Sequence, residues 1–135
     1  MTPTTPEVQT ATKILLAEDD VDQREDLTEF LVHSGYEVES VSSGTELLDA
    51  LAEVTLGLKA RPDVIITDIQ MPGVPGLNVA EELRAEGWNE PIIVISAFGP
   101  LPLIALRLEQ LDDVRFVAKP FDPDKLVEMV HELTK

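Results

Sequence analysis

Four apolar runs in this chain each stop at a side chain that can do chemistry. Ile14-Leu15-Leu16-Ala17 runs into Glu18, Asp19 and Asp20, and Val64-Ile65-Ile66-Thr67 into Asp68. Ile93-Val94-Ile95 ends on Ser96, and Phe116-Val117-Ala118 on Lys119-Pro120. A carboxylate closing a buried run costs several kcal/mol unless something compensates it, so Asp68 calls for a partner. Carboxylates brought together cannot all stay ionised without a cation. The chain has no cysteine, and its two histidines lie away from these motifs. The ligands are therefore hard oxygens, which select Mg2+ or Mn2+ with water completing the shell. Lys119 adds a positive charge and Ser96 a hydrogen-bond donor. Such a set around one carboxylate makes a phosphoryl-transfer site, with Asp68 as the nucleophile that becomes an acyl phosphate.

These residues act together only if the fold brings them to one place. Strand-like runs at 13–17, 36–41, 63–68, 92–96 and 115–119 alternate with stretches of helical period. Leu27, Phe30 and Leu31 form an i, i+3, i+4 set closed by Gly35. Leu47, Leu51, Val54 and Leu58 repeat likewise, behind Ser43 as cap and Glu46 as its capping-box partner. A third helix stops at Gly87. A fourth is expected from Leu101 to Leu111, with Leu101, Ile104, Leu108 and Leu111 inward and Leu103 and Leu106 outward, although Pro100 and Pro102 cloud its start. The last has Asp122 as cap, Pro123 at the first helical position and Leu126, Val130 and Leu133 inward. Five strand–helix alternations predict an α/β fold: one doubly wound, five-stranded parallel sheet of order 2-1-3-4-5, flavodoxin-like, with helices on both faces. All strands of such a sheet finish at one edge, and ligands sit outside it. The four motifs are then neighbours.

A chain of 135 residues, 44% hydrophobic, suits one domain with one core. Residues 1–12, rich in Thr with two prolines, are expected to be a disordered leader, and 13–135 the folded domain. A formal net charge of −16 argues against nucleic-acid binding, which needs clustered Lys and Arg. No apolar run approaches the ~20 residues of a membrane span, so a cytoplasmic protein without membrane contact is expected. His33 and His131 are expected at the surface, and Trp88 as a packing residue near the end of the third helix.

"ILLAEDD", "DVIITDIQMPGVPGL", "VISAF" and "FVAKPFD" resemble, in order and spacing, the landmarks of the receiver domains of bacterial two-component response regulators. The resemblance covers about residues 13–135. It implies that Asp68 accepts a phosphoryl group from a histidine kinase or a histidine phosphotransfer protein. Glu18 and Asp19 match the acidic pair that holds Mg2+ together with Asp68 and the backbone carbonyl of Gln70. Ser96 matches the switch hydroxyl, Lys119 the phosphate-contacting lysine, and Phe116 the aromatic switch on the fifth strand. The bond before Pro120 is typically cis in this family. Phosphorylation is then expected to alter the helix 4, strand 5 and helix 5 surface for a downstream protein or a second copy. Gln70 and Phe98 flank the path of a hydrolytic water, and bulky Phe98 implies slow self-hydrolysis. Two other readings remain: a degenerate receiver that only binds protein, and a Mg2+-dependent phosphatase of the haloacid dehalogenase type. The latter needs an acid two residues beyond the nucleophile, where this chain has Gln70.

Overall fold

The computed structural model describes residues 11–97 and 102–135. Most of the expected leader, residues 1–10, and the segment 98–101 with Phe98, Pro100 and Leu101 therefore lie outside the described residues. Five strands alternate with five helices: β1 (Lys13–Ala17), α1 (Val21–His33), β2 (Glu37–Val41), α2 (Gly44–Thr55), β3 (Val64–Asp68), α3 (Gly76–Ala85), β4 (Ile92–Ser96), α4 (Pro102–Glu109), β5 (Val114–Ala118) and α5 (Pro123–Thr134). All strand pairs are parallel, and the order is β2-β1-β3-β4-β5. The expected fold class and strand order hold.

Period-2 alternation along the central strands builds two cores on opposite faces. Ile14 and Leu16, Val64 and Ile66, and Ile93 and Ile95 join Leu31 of α1 and Leu126 and Val130 of α5. Leu15, Ile65, Ile92 and Val94 join Leu47 and Leu51 of α2, Leu77 and Leu83 of α3, and Leu108 of α4. Each fully buried Leu or Ile contributes ~1.5–3 kcal/mol of transfer free energy. β3 and β4 are buried along their whole length, whereas the edge strands β2 and β5 are not. A charge at the end of β3 is thus set against a wholly apolar strand.

Local signals mostly act where the sequence places them. Asp122 caps α5 by accepting from the Asp124 N–H, with Pro123 next. Ser43 caps α2 through the Glu46 N–H at 3.0 Å. Glu46 differs from expectation: it accepts from the backbone and hydroxyl of Ser42 at 2.7 and 2.9 Å, one residue earlier than a capping box requires. Leu58 also differs. α2 ends at Thr55, Gly57 turns the chain at a φ of +81°, and Leu58 is exposed rather than inward. Residues 56–63 therefore connect α2 to β3 as a loop. β5 starts at Val114 and ends at Ala118, one residue before Lys119, and α4 stops two residues short of Leu111. Within α4 the expected faces hold: Leu108 is buried, Ile104 packs against the core, and Leu103 and Leu106 are 74% and 55% exposed. His33 and His131 are exposed, and Trp88 is buried.

Candidate functional site

The carboxyl edge of the sheet collects the four motifs. β1 ends at Ala17, so Glu18 follows directly. Its N–H donates to the Val41 carbonyl of β2 at 3.1 Å, and the residue is buried, at 5% exposure. Asp19 is exposed, and Asp20 caps α1 by accepting from the Gln23 N–H. One β-strand over, Asp68 is the last residue of β3 and 8% exposed. One carboxylate oxygen each from Glu18, Asp19 and Asp68 lies within 4.8 Å of the others. Ser96, 4% exposed, ends β4, and its carbonyl accepts from the Lys119 N–H at 2.7 Å. That bond carries the register of β4 and β5 one step past β5, and so sets where the Lys119 side chain starts. The Lys119–Pro120 peptide bond is cis.

Lys119 ties the edge together. Its Nζ donates to Asp68 Oδ2 at 2.8 Å and to Glu18 Oε1 at 3.0 Å. The other oxygen of Asp68 accepts from the Gln70 N–H at 3.2 Å, so Gln70 meets Asp68 through its backbone. Burial raises the pKa of Glu18; its hydrogen bonds from Lys119 and the Asp20 N–H only partly oppose this. Burial pulls the Lys119 ammonium down, but the hydrogen bonds and charges of Asp68 and Glu18 outweigh it and the net direction is up. Lys119 is therefore an ammonium at neutral pH. Against it stand three carboxylates, which leaves an excess of two negative charges within the cluster if all are ionised.

Two glycines let the β3–α3 loop come this close. A β-carbon at Gly76 would lie 2.1 Å from the Asp68 carbonyl oxygen, and one at Gly44 would lie 1.7 Å from the Val74 carbonyl oxygen. The first position lets α3 start against the end of β3. The second lets the start of α2 seat the loop, with the Gly44 N–H donating to the Pro72 carbonyl at 3.2 Å. Phe116 stands apart from the carboxylates, half-buried in β5 and packed on the core face shared with α4. Two residues near the site carried no sequence expectation. Gln23 accepts from Lys119 Nζ at 2.8 Å, and Arg24 donates to the Glu18 carbonyl at 2.9 Å. Both lie in the first turn of α1, where a Gln and an Arg are ordinary, and only the folded positions of Lys119 and the Glu18 carbonyl give them partners.

Residues 14–131 match the family pattern of the response regulator receiver domain. The chain is 33% identical over 124 residues to the response regulator MprA of Mycobacterium sp. strain KMS, covering 91% of this chain and 50% of that protein. It is 34% identical over 119 residues to the DNA-binding response regulator MtrA of Mycobacterium tuberculosis strain H37Rv, covering 87% and 48%. Among solved structures it is similar to TrrA of Thermotoga maritima in complex with Mg(2+)-BeF, with a TM-score of 0.76 at 33% identity over 90% of this chain and 98% of that one. It is also similar to a Francisella response-regulator receiver domain, with a TM-score of 0.77 at 27% identity over 91% and 96%. The chain belongs to the response regulator receiver domain family, whose members are switches of two-component signalling. It spans about half the length of the curated relatives it matches.

Proposed function

We propose that this chain is a working phospho-acceptor, with residues 13–135 as the receiver unit and Asp68 as the residue that is modified. The observation that carries this reading is the single ammonium of Lys119 shared between Asp68 and Glu18, inside a cluster of three carboxylates. Mere packing has no use for such an excess of charge. The donors are all hard oxygens, and exposed Asp19 leaves a side open for water, so they fit Mg2+, with Mn2+ as a substitute. Glu18, Asp19 and Asp68, with the Gln70 carbonyl, would hold it. When bound, the ion neutralises charge on the transferring phosphoryl oxygens. The similarity to TrrA, a protein solved with Mg(2+)-BeF, supports the same choice.

The donor is a phosphohistidine on a histidine kinase or histidine phosphotransfer protein. An Asp68 carboxylate oxygen attacks phosphorus, the P–N bond breaks, and the departing imidazole nitrogen takes up a proton from water. Lys119 and the Ser96 hydroxyl then bind phosphoryl oxygens. An apolar groove beside Lys119, lined by Leu27, Phe30 and Phe121, gives a donor protein a surface next to the acceptor. Phe116, on β5 and packed toward α4, links a movement of Ser96 to the α4–β5–α5 face. That face, with exposed Leu103 and Leu106, meets a downstream protein or a second copy. The net charge of −16 argues against nucleic-acid binding by this chain itself. The DNA-binding description belongs to a relative about twice as long. Among the described residues no helix is long and apolar enough to cross a membrane, in keeping with a cytoplasmic switch.

Incubation with acetyl phosphate and Mg2+, followed by intact-mass measurement, tests the reading. Uptake of one phosphoryl group that requires Mg2+ supports it. No uptake would make the chain a protein-binding module only, and turnover of phosphomonoesters would make it a phosphatase.

A further inference from the structure

The Lys119 ammonium has three hydrogens, and three acceptors take them: Asp68 Oδ2 at 2.8 Å, Glu18 Oε1 at 3.0 Å and Gln23 Oε1 at 2.8 Å. The first two belong to the carboxylate cluster. The third is a neutral amide from the first turn of α1. Gln23 is itself held in place. Its backbone N–H donates to Asp20 Oδ1 at 2.9 Å, and the Asp20 backbone N–H donates to Glu18 Oε2 at 3.1 Å. A closed circuit results, from Lys119 through Gln23, Asp20 and Glu18 back to Lys119.

We propose that Gln23 is a positioning residue for Lys119, the one anchor of the ammonium that neither cation binding nor phosphorylation uses up. The inference rests on Asp68 being the phospho-acceptor. A divalent cation on the carboxylates takes their lone pairs and repels the ammonium, so Lys119 loses Glu18 as a partner at the moment it is needed. A long, flexible lysine released on one side would sample many rotamers. Gln23 keeps it aimed at the Asp68 oxygen where the phosphoryl group arrives. A neutral amide suits this task, because a carboxylate there would add a fourth negative charge.

The test variant is Gln23→Met, which keeps the shape of the side chain and removes the acceptor. In the full chain at saturating Mg2+, the rate of phosphoryl uptake from low concentrations of acetyl phosphate should fall about tenfold, the worth of one charge-assisted hydrogen bond. In a Lys119→Ala background the same substitution should have no further effect on the residual rate, since the two residues act as one unit. A second readout needs neither metal nor turnover. NMR of the metal-free protein should show slowed hydrogen exchange at the Lys119 ammonium that becomes measurably faster in Gln23→Met and stays slow in Gln23→Glu. Wild-type rates in Gln23→Met, or an undiminished effect of Gln23→Met without Lys119, would overturn the inference, as would unchanged ammonium exchange. If wild type itself takes up no phosphoryl group, the acceptor reading fails instead, and the metal-free exchange still decides whether Gln23 holds Lys119.

Discussion

Lys119 Nζ and Asp68 Oδ2 lie 2.8 Å apart, although 51 positions separate the two residues in the chain. The contact spans two strand spacings, because β4 lies between β3 and β5. It exists because the parallel registers of β3 on β4 and β4 on β5 bring the ends of all three strands to the same edge. A long side chain at the outer strand can then reach a short one at the centre.

The approach of α3 to Asp68 depends on Gly76. A β-carbon there would stand 2.1 Å from the Asp68 carbonyl oxygen, and next it would meet Thr67 Oγ1 at 3.0 Å. Both neighbours are fixed in a buried strand. Gly76→Ala should destabilise the fold by ~1–3 kcal/mol, as overpacking does, and should also slow phosphorylation by moving the end of β3. Urea unfolding and acetyl-phosphate kinetics check the two effects. Full stability in this variant would mean that the loop gives way without strain.

Among the described residues Arg84 pairs with no carboxylate. It donates to four backbone carbonyls instead: Asp112 and Trp88 at 2.7 Å, Glu90 at 2.9 Å and Asp113 at 3.2 Å. It thereby ties the end of α3 to the entries of β4 and β5. Burial lowers its pKa, yet it stays charged at any working pH. Arg84→Ala should cost about 2–3 kcal/mol, because carbonyls lose charged donors, and Arg84→Lys should recover less than half, since one ammonium cannot span the four. Denaturant midpoints of the two variants decide. Equal stability of Arg84→Lys and wild type would contradict this role.

Glu90 is paired with Arg61 through two N–H donors at 2.7 and 3.0 Å, and Arg61 stacks 4.1 Å from the centre of the Trp88 ring. The Arg61 hydrogen bonds hold the Glu90 carboxyl below its usual range, against a smaller upward push from burial. A carboxyl with a lowered folded pKa contributes stability that is complete above its unfolded value, about 4.3, and is lost as pH falls through the folded value. Glu90→Gln should therefore lower stability at neutral pH by on the order of 1 kcal/mol, the upper range for an exposed pair. The gap from wild type should close on acidification below about pH 4. Thermal melts across that range measure it, and curves that stay parallel would remove the pair from the account.

The sheet order and the edge-of-sheet site were legible because each signal was local and repeated. Val64, Ile65 and Ile66 announce a strand buried on both faces, and Asp68 falls at its end by counting. Elements whose limits depend on tertiary contacts were less legible. Leu58 continues a helical period in the sequence, but the turn at Gly57 ends α2 first and leaves Leu58 exposed. Glu46 reaches Ser42 rather than Ser43, a choice of rotamer that spacing does not encode. Gln23 was illegible for a different reason. A lone Gln in a first helical turn is ordinary, and only the position of a lysine 96 residues away gives it a task. Arg84 likewise reads as a surface residue until its four carbonyls are assembled.

The most direct measurement locates the modified residue. After exposure to acetyl phosphate and Mg2+, borohydride reduction converts an aspartyl phosphate to homoserine, and peptide mass spectrometry finds the position. The account predicts conversion at Asp68, none in Asp68→Asn, and a sharply reduced yield in a folded Asp19→Asn, whose lost carboxylate weakens cation binding while relieving repulsion. Conversion at Asp19 or Asp20 in place of Asp68, or Mg2+-dependent uptake undiminished in Asp68→Asn, would contradict it.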